Sequence, residues 1–139
     1  MKGNDNMLEK NNLIFIYGKP CSYKSSLGVS LLNSSDNSCY IDLDNNNHIK
    51  INDSIKVFNE VDSIDFIKKC INEFNVILID YLELLGINKD DLLELKRLVI
   101  NENKTLIIIS CCSTNKELMN NDHYNELKEL SDLMILTDR

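Results

Sequence analysis

The run Leu13-Ile14-Phe15-Ile16-Tyr17 leads directly into Gly18-Lys19-Pro20-Cys21-Ser22-Tyr23-Lys24-Ser25, and residues of helical pattern follow. An apolar strand that turns at a glycine into a helix opening on Lys-Ser is the setting of the pattern G-x-x-x-x-G-K-S/T, a phosphate-binding loop. The chemistry follows from the geometry. Such a turn aims successive backbone N–H groups inward, the helix N-terminus adds positive potential, the lysine reaches the β/γ-phosphates and the hydroxyl holds Mg²⁺. Gly18, Lys24 and Ser25 are in register with the pattern, and Lys19, Pro20, Cys21 and Ser22 fill its variable positions. Tyr23 stands where the second glycine belongs. If that position needs a glycine-like backbone, a tyrosine costs about 1–3 kcal/mol, and its side chain is expected to crowd the loop that closes on phosphate. The competing reading is an ordinary strand-to-helix turn with a surface lysine.

The rest of the chain alternates apolar runs with helical periodicity, which indicates a mostly parallel sheet covered on both faces. The first helix is expected over 24–32 and a second strand over 38–42. Asp44-Asn45-Asn46-Asn47 then reads as a loop, because asparagine favours turns. Residues 51–58 offer a minor strand. From Asp62 as N-cap, Ile64, Ile67, Ile71 and Phe74 recur at helical spacing. Val76-Ile77-Leu78-Ile79 is a central strand ending on Asp80. Asn88 with Asp91 three residues on marks a helix start, and Leu92, Leu95, Leu98 and Val99 form its inner face. A strand over 105–110, a short helix over 123–130 and a strand over 133–137 complete the series.

At 139 residues and 43% hydrophobic, the chain supports one domain with one core, taken as residues 13–139 behind a polar, frayed segment 1–12. No basic start, apolar stretch and small-residue cleavage site open the chain, and its apolar regions are broken by Asp80, Glu83 and Lys104. A soluble, cytoplasmic protein without membrane association is expected. Cys21, Cys39, Cys70, Cys111 and Cys112 lack C-x-x-C spacing, and His48 and His123 are the only histidines, so zinc sites and disulfide frameworks are disfavoured. A net charge of −7 argues against tight, sequence-independent nucleic-acid binding, which needs clustered cations to release counterions.

The second chemical signal is Asp80, placed at a strand end where a carboxylate holds the water shell of Mg²⁺ opposite Ser25. The third is Asp42-Leu43-Asp44, at the end of the second strand, on the edge of an open parallel sheet where ligands bind. With these residues the chain resembles the RecA-like ATPase core, and in particular the motor domain of DnaB-type replicative helicases. In that family the loop often reads Gly-Arg-Pro-x-x-Gly-Lys-Thr/Ser, matched from Gly18 to Ser25 except at Tyr23. The family's Walker B strand typically runs through Ile-Asp-Tyr-Leu-Gln-Leu, and this chain has Ile79-Asp80-Tyr81-Leu82-Glu83-Leu84. Glu129-Leu130-Ser131-Asp132-Leu133-Met134-Ile135-Leu136 is similar to the family's acidic helix and following strand. The resemblance implies a three-layer α/β P-loop NTPase with about five mostly parallel strands. The phosphate-loop strand would then be central, between the 105–110 strand and the last strand.

The resemblance also implies roles. Gly18, Lys19, Pro20, Cys21, Ser22, Tyr23, Lys24 and Ser25 would bind ATP, Ser25 and Asp80 would organise Mg²⁺, and Asp80 and Asp44 would be the catalytic carboxylates. Asp44 takes the place of the family's general-base glutamate, one methylene shorter, and Cys111 that of the sensor glutamine after Ser110. The chain stops at Arg139, before the later strands and the arginine that in the helicases reaches a neighbouring subunit's site, so fast hydrolysis is not expected. Lys19 at the second loop position resembles ParA-like ATPases, but the Asp80-Tyr81-Leu82 strand and the lack of a glycine pair after Lys19 fit that family poorly.

Three functions follow. One is a divergent nucleotide-binding protein of DNA replication or recombination, at most a weak ATPase. Another is an inactive relative serving as an interaction module, on a replication protein or on further copies of itself. The third, a small-molecule kinase, lacks an arginine-rich lid, since Arg97 and Arg139 are the only arginines. Tyr81, Leu82, Leu84 and Leu85 read as packing residues, Cys111-Cys112 as inert, Lys68-Lys69 and Lys96-Arg97 as solvated helix faces, and His123 as a surface residue.

Overall fold

The computed structural model describes residues 11–18, 23–43, 49–61, 63–80, 87–111 and 122–137, with the backbone alone described for Cys111 and for residues 122–124. Its strands are β1 (Leu13–Gly18), β2 (Ser38–Asp42), β3 (Lys56–Phe58), β4 (Val76–Asp80), β5 (Thr105–Cys111) and β6 (Leu133–Thr137). Its helices are α1 (Lys24–Asn33), α2 (Ile64–Glu73), α3 (Lys89–Glu102) and α4 (Asp122–Leu130). The strands form one six-stranded sheet in the order β3-β2-β4-β5-β1-β6, and every pairing is parallel. The phosphate-loop strand β1 lies between β5 and β6, as expected. The sixth strand is the minor one: only three residues of 51–58 pair, at the sheet edge beside β2.

Continuous apolar runs suit this arrangement, because a parallel strand covered by helices is buried on both faces. The pleat sends alternate residues to opposite sides. Leu13, Phe15, Cys39, Ile41, Ile77, Ile79, Leu106 and Ile108 meet Ile67, Cys70 and Ile71 of α2, Leu92, Leu95 and Val99 of α3, and Leu127 of α4. Ile14, Ile16, Tyr40, Val76, Leu78, Ile107 and Ile109 meet Val29, Leu31 and Leu32 of α1 on the other side. The result is three layers, with α1 alone among the described helices on its face.

Helix ends obey local chemistry. The Asn88 side chain accepts from the Asp91 N–H at 2.9 Å, and the Asp91 carboxylate accepts from the Asn88 N–H at 3.1 Å, a reciprocal capping box. Ser63, not Asp62, occupies the N-cap position of α2, and Asp62 lies outside the described residues. Two lysines read as solvated are engaged. Lys68 of α2 pairs with Glu94 of α3, and Lys96 of α3 donates to the Leu130 carbonyl and sits 3.7 Å from Asp132. The Asp132 carboxylate in turn accepts the Asn12 and Leu13 N–H groups at 2.9 and 3.0 Å, tying the start of β1 to the approach to β6. Asn12 is thus anchored, and the rest of the segment expected to fray, through residue 10, lies outside the described residues.

Gly28 lets α1 approach the sheet closely. A Cβ there would stand 2.9 Å from Leu78 of β4 and 3.1 Å from Ile109 of β5. This contact brings the first turn of α1 over the end of β4. Gly28→Val is expected to lower stability by about 1–3 kcal/mol through overpacking, read as an earlier urea midpoint. An unchanged midpoint would show that α1 does not rest on Leu78.

Candidate functional site

All strands run the same way, so Gly18, Asp42, Asp80 and Cys111 end β1, β2, β4 and β5 on one edge of the sheet. That is the edge where open parallel sheets carry their ligand sites. Gly18 pairs with Cys111 and Thr137 and has φ 153°, a value that side chains rarely tolerate. Lys19, Pro20, Cys21 and Ser22 lie outside the described residues.

Tyr23 is the N-cap of α1, with left-handed backbone at φ 65° and ψ 25° and no side-chain cap bond. Its carbonyl accepts from the Leu27 N–H at 3.0 Å, which starts the helix. The pattern places a glycine at this position, and the backbone has the form a glycine would take. The side chain, however, is 64% exposed. The backbone cost that the sequence allowed for is therefore present, and most of the Tyr23 side chain faces solvent.

The next two residues turn inward. Lys24 is buried at 7% exposure, an unusual setting for an ammonium and one that calls for anionic company. The Ser25 hydroxyl donates to Oδ2 of Asp80. Asp80 is 1% exposed, and by the alternation of β4 it faces α1 together with Leu78. The same oxygen accepts from the Tyr40 hydroxyl at 2.7 Å. Asp42 is in register with Asp80 on the neighbouring strand, shares the α1 face with Tyr40, and is 3% exposed. Two expected site residues, Ser25 and Asp80, are therefore brought together where α1 meets the end of β4, and Lys24, the residue before Ser25, is buried.

Other assignments fall differently. Asp44 lies outside the described residues, so the described carboxylate beside Asp80 is Asp42. Ser110 is buried and, by alternation with Leu106 and Ile108, faces away from α1. Cys111 is in register with Gly18, which puts its backbone beside the loop. Tyr81, Leu82, Leu84, Leu85, Cys112 and Arg139 lie outside the described residues, as do the side chain of His123 and residues 112–121. Cys39 and Cys70 are buried, unoxidised thiols. A hydrogen bond with Cys70, and then burial, push the Cys39 thiol up, which keeps it protonated and inert. Tyr40 was missed in sequence because an aromatic residue inside an apolar strand reads as core; its place two residues before Asp42 on the same face was the available signal.

No protein-family model matches the chain, and no curated protein matches it. Among solved structures, the chain is similar to AMPPCP-bound DnaA from Aquifex aeolicus, with a TM-score of 0.57 and 16% sequence identity. The likeness takes in 97% of this chain and 42% of that one. With the all-parallel sheet, it shows a shared three-layer α/β fold, the fold class expected from the sequence. No helix among the described residues is long and apolar enough to cross a membrane.

Tyr23→Gly should raise stability by about 1 kcal/mol, because it removes a left-handed L-residue and sacrifices little from an exposed ring. A urea midpoint that stays put or falls would contradict the assignment of strain to this residue.

Proposed function

We propose that this chain is a nucleotide-binding P-loop protein acting in DNA replication or recombination, related to the motor domains of DnaB-type helicases and at most a slow ATPase. The observation that carries the reading is the Ser25 hydroxyl on the Asp80 carboxylate, which joins the N-terminus of α1 to the end of β4. A hydroxyl and a carboxylate at a helix N-terminus, beside a buried lysine, are the donor set for a hard cation that accompanies phosphate. Support for the pathway comes from the Ile79-Asp80-Tyr81-Leu82-Glu83-Leu84 resemblance and from the likeness to DnaA, solved with the ATP analogue AMPPCP.

In this reading the loop from Gly18 through Ser22 cradles the phosphates of ATP, Lys24 meets the β/γ-phosphates, and Ser25 and Asp80 hold Mg²⁺. Mg²⁺ there would neutralise charge developing on the phosphate oxygens. Asp44 serves as general base. A cysteine at the position of the sensor glutamine keeps turnover slow. The acidic balance of the chain makes contact with DNA weak or indirect, through a replication partner or a homo-oligomer.

Calorimetric titration with ATP and Mg²⁺ tests the reading. Lys24→Ala is expected to weaken binding by at least about thirtyfold, the scale of removing one member of a buried charge contact. Asp44→Asn should spare binding and remove residual turnover. Equal ATP affinity in the unsubstituted protein and Lys24→Ala would overturn the site, and an absence of binding in both would favour the interaction module.

A further inference from the structure

Tyr40 is the largest of the fully buried side chains. Its ring lies in the cluster beneath α1 with Leu31, Leu32, Ile55 and Leu78. Phenylalanine would fill that space equally well. A phenol hydroxyl in such surroundings is unfavourable unless it is bonded, and this one donates to Oδ2 of Asp80 at 2.7 Å. Tyr40 pairs with Leu78, and Asp80 follows two residues on along β4. At a rise of about 3.3 Å per residue, this is the diagonal that aromatic side chains span across neighbouring strands.

Two donors therefore reach one carboxylate oxygen from different parts of the fold. Ser25 belongs to the first turn of α1, directly after the loop. Tyr40 belongs to β2, held between β3 and β4 in the sheet. The geometry points to Tyr40 as a positioning residue for the Asp80 carboxylate, which it orients from the sheet whatever state the loop adopts. This role rests on the nucleotide-binding reading of the site. Its consequence is specific: the hydroxyl acts through Asp80 on the metal-dependent part of nucleotide binding and leaves the phosphate contacts of the loop and Lys24 alone.

Tyr40→Phe removes only the hydroxyl and leaves Ser25 on Asp80. ATP affinity is measured by calorimetry for both proteins, in EDTA and at saturating Mg²⁺, with thermal melting as a check on the fold. The expected result is unchanged metal-free affinity and a gain from Mg²⁺ reduced by about tenfold, the effect of losing one hydrogen bond to a charged group. Equal Mg²⁺ gains would overturn the role of Tyr40 while leaving the nucleotide site standing. An equal loss with and without metal would overturn it in favour of packing alone. Failure of the unsubstituted protein to bind ATP under either condition would overturn the nucleotide reading and this role with it. Should Tyr40→Phe not fold, the ring-carbon NMR signal of Tyr40 in the unsubstituted protein reads the same contact. It should shift with Mg²⁺ and ADP together and hold with ADP alone; no difference would overturn the role.

Discussion

A carboxylate buried at the end of a central strand organises this molecule. Asp80 is 1% exposed, and a group of that kind is tolerated only where donors meet it. Two of its donors come from elements far apart in sequence, Ser25 at the start of α1 and Tyr40 in β2. For both to arrive, β2 must lie beside β4, and α1 must cross the sheet face on its way from β1 to β2. The strand order and the site are one requirement seen from two sides. Gly28 enters beside it, since a Cβ there would stand 2.9 Å from the Leu78 side chain and 3.1 Å from that of Ile109.

The other face of the sheet carries most of the stabilising mass. Helices α2, α3 and α4 bury their apolar stripes there, and their polar sides are laced by Lys68 with Glu94 and by Lys96 with Leu130 and Asp132. The face toward α1 is covered by one described helix and is where polar groups are admitted to the interior. The scaffold is thus thick on one side of the sheet, and the described polar groups of the interior gather on the other.

Much of this was legible in the sequence because parallel strands advertise themselves. The runs from Leu13, Val76 and Leu106 are four or more apolar residues long, and the Asn88 and Asp91 pair announced a helix start that the reciprocal bonds bear out. That Ser25 and Asp80 meet was readable because the loop pattern and a strand ending on a carboxylate are local signals. What was not legible is what depends on tertiary register. Tyr40 looks like core until its hydroxyl is seen across the strand at Asp80. Lys96 looks solvated until α4 and Asp132 close on it. At Tyr23 the sequence offered a backbone cost and a crowding ring together, and the φ of 65° with a largely exposed side chain is what separates them. With 16% identity to a solved relative of the fold, the architecture is shared while the chemistry must be argued from these side chains.

The central claim is that the meeting of α1 with β4 is a seat for a metal and the phosphates it accompanies. A crystal structure of the protein grown with Mg²⁺ and AMPPCP tests it most directly. Phosphates lying against the turn from Gly18 to Ser25, with Ser25 on the metal and Asp80 still bonded to Tyr40, are the expected result. Nucleotide bound elsewhere, or an Asp80 carboxylate rotated away from both hydroxyls with the metal absent, would contradict it.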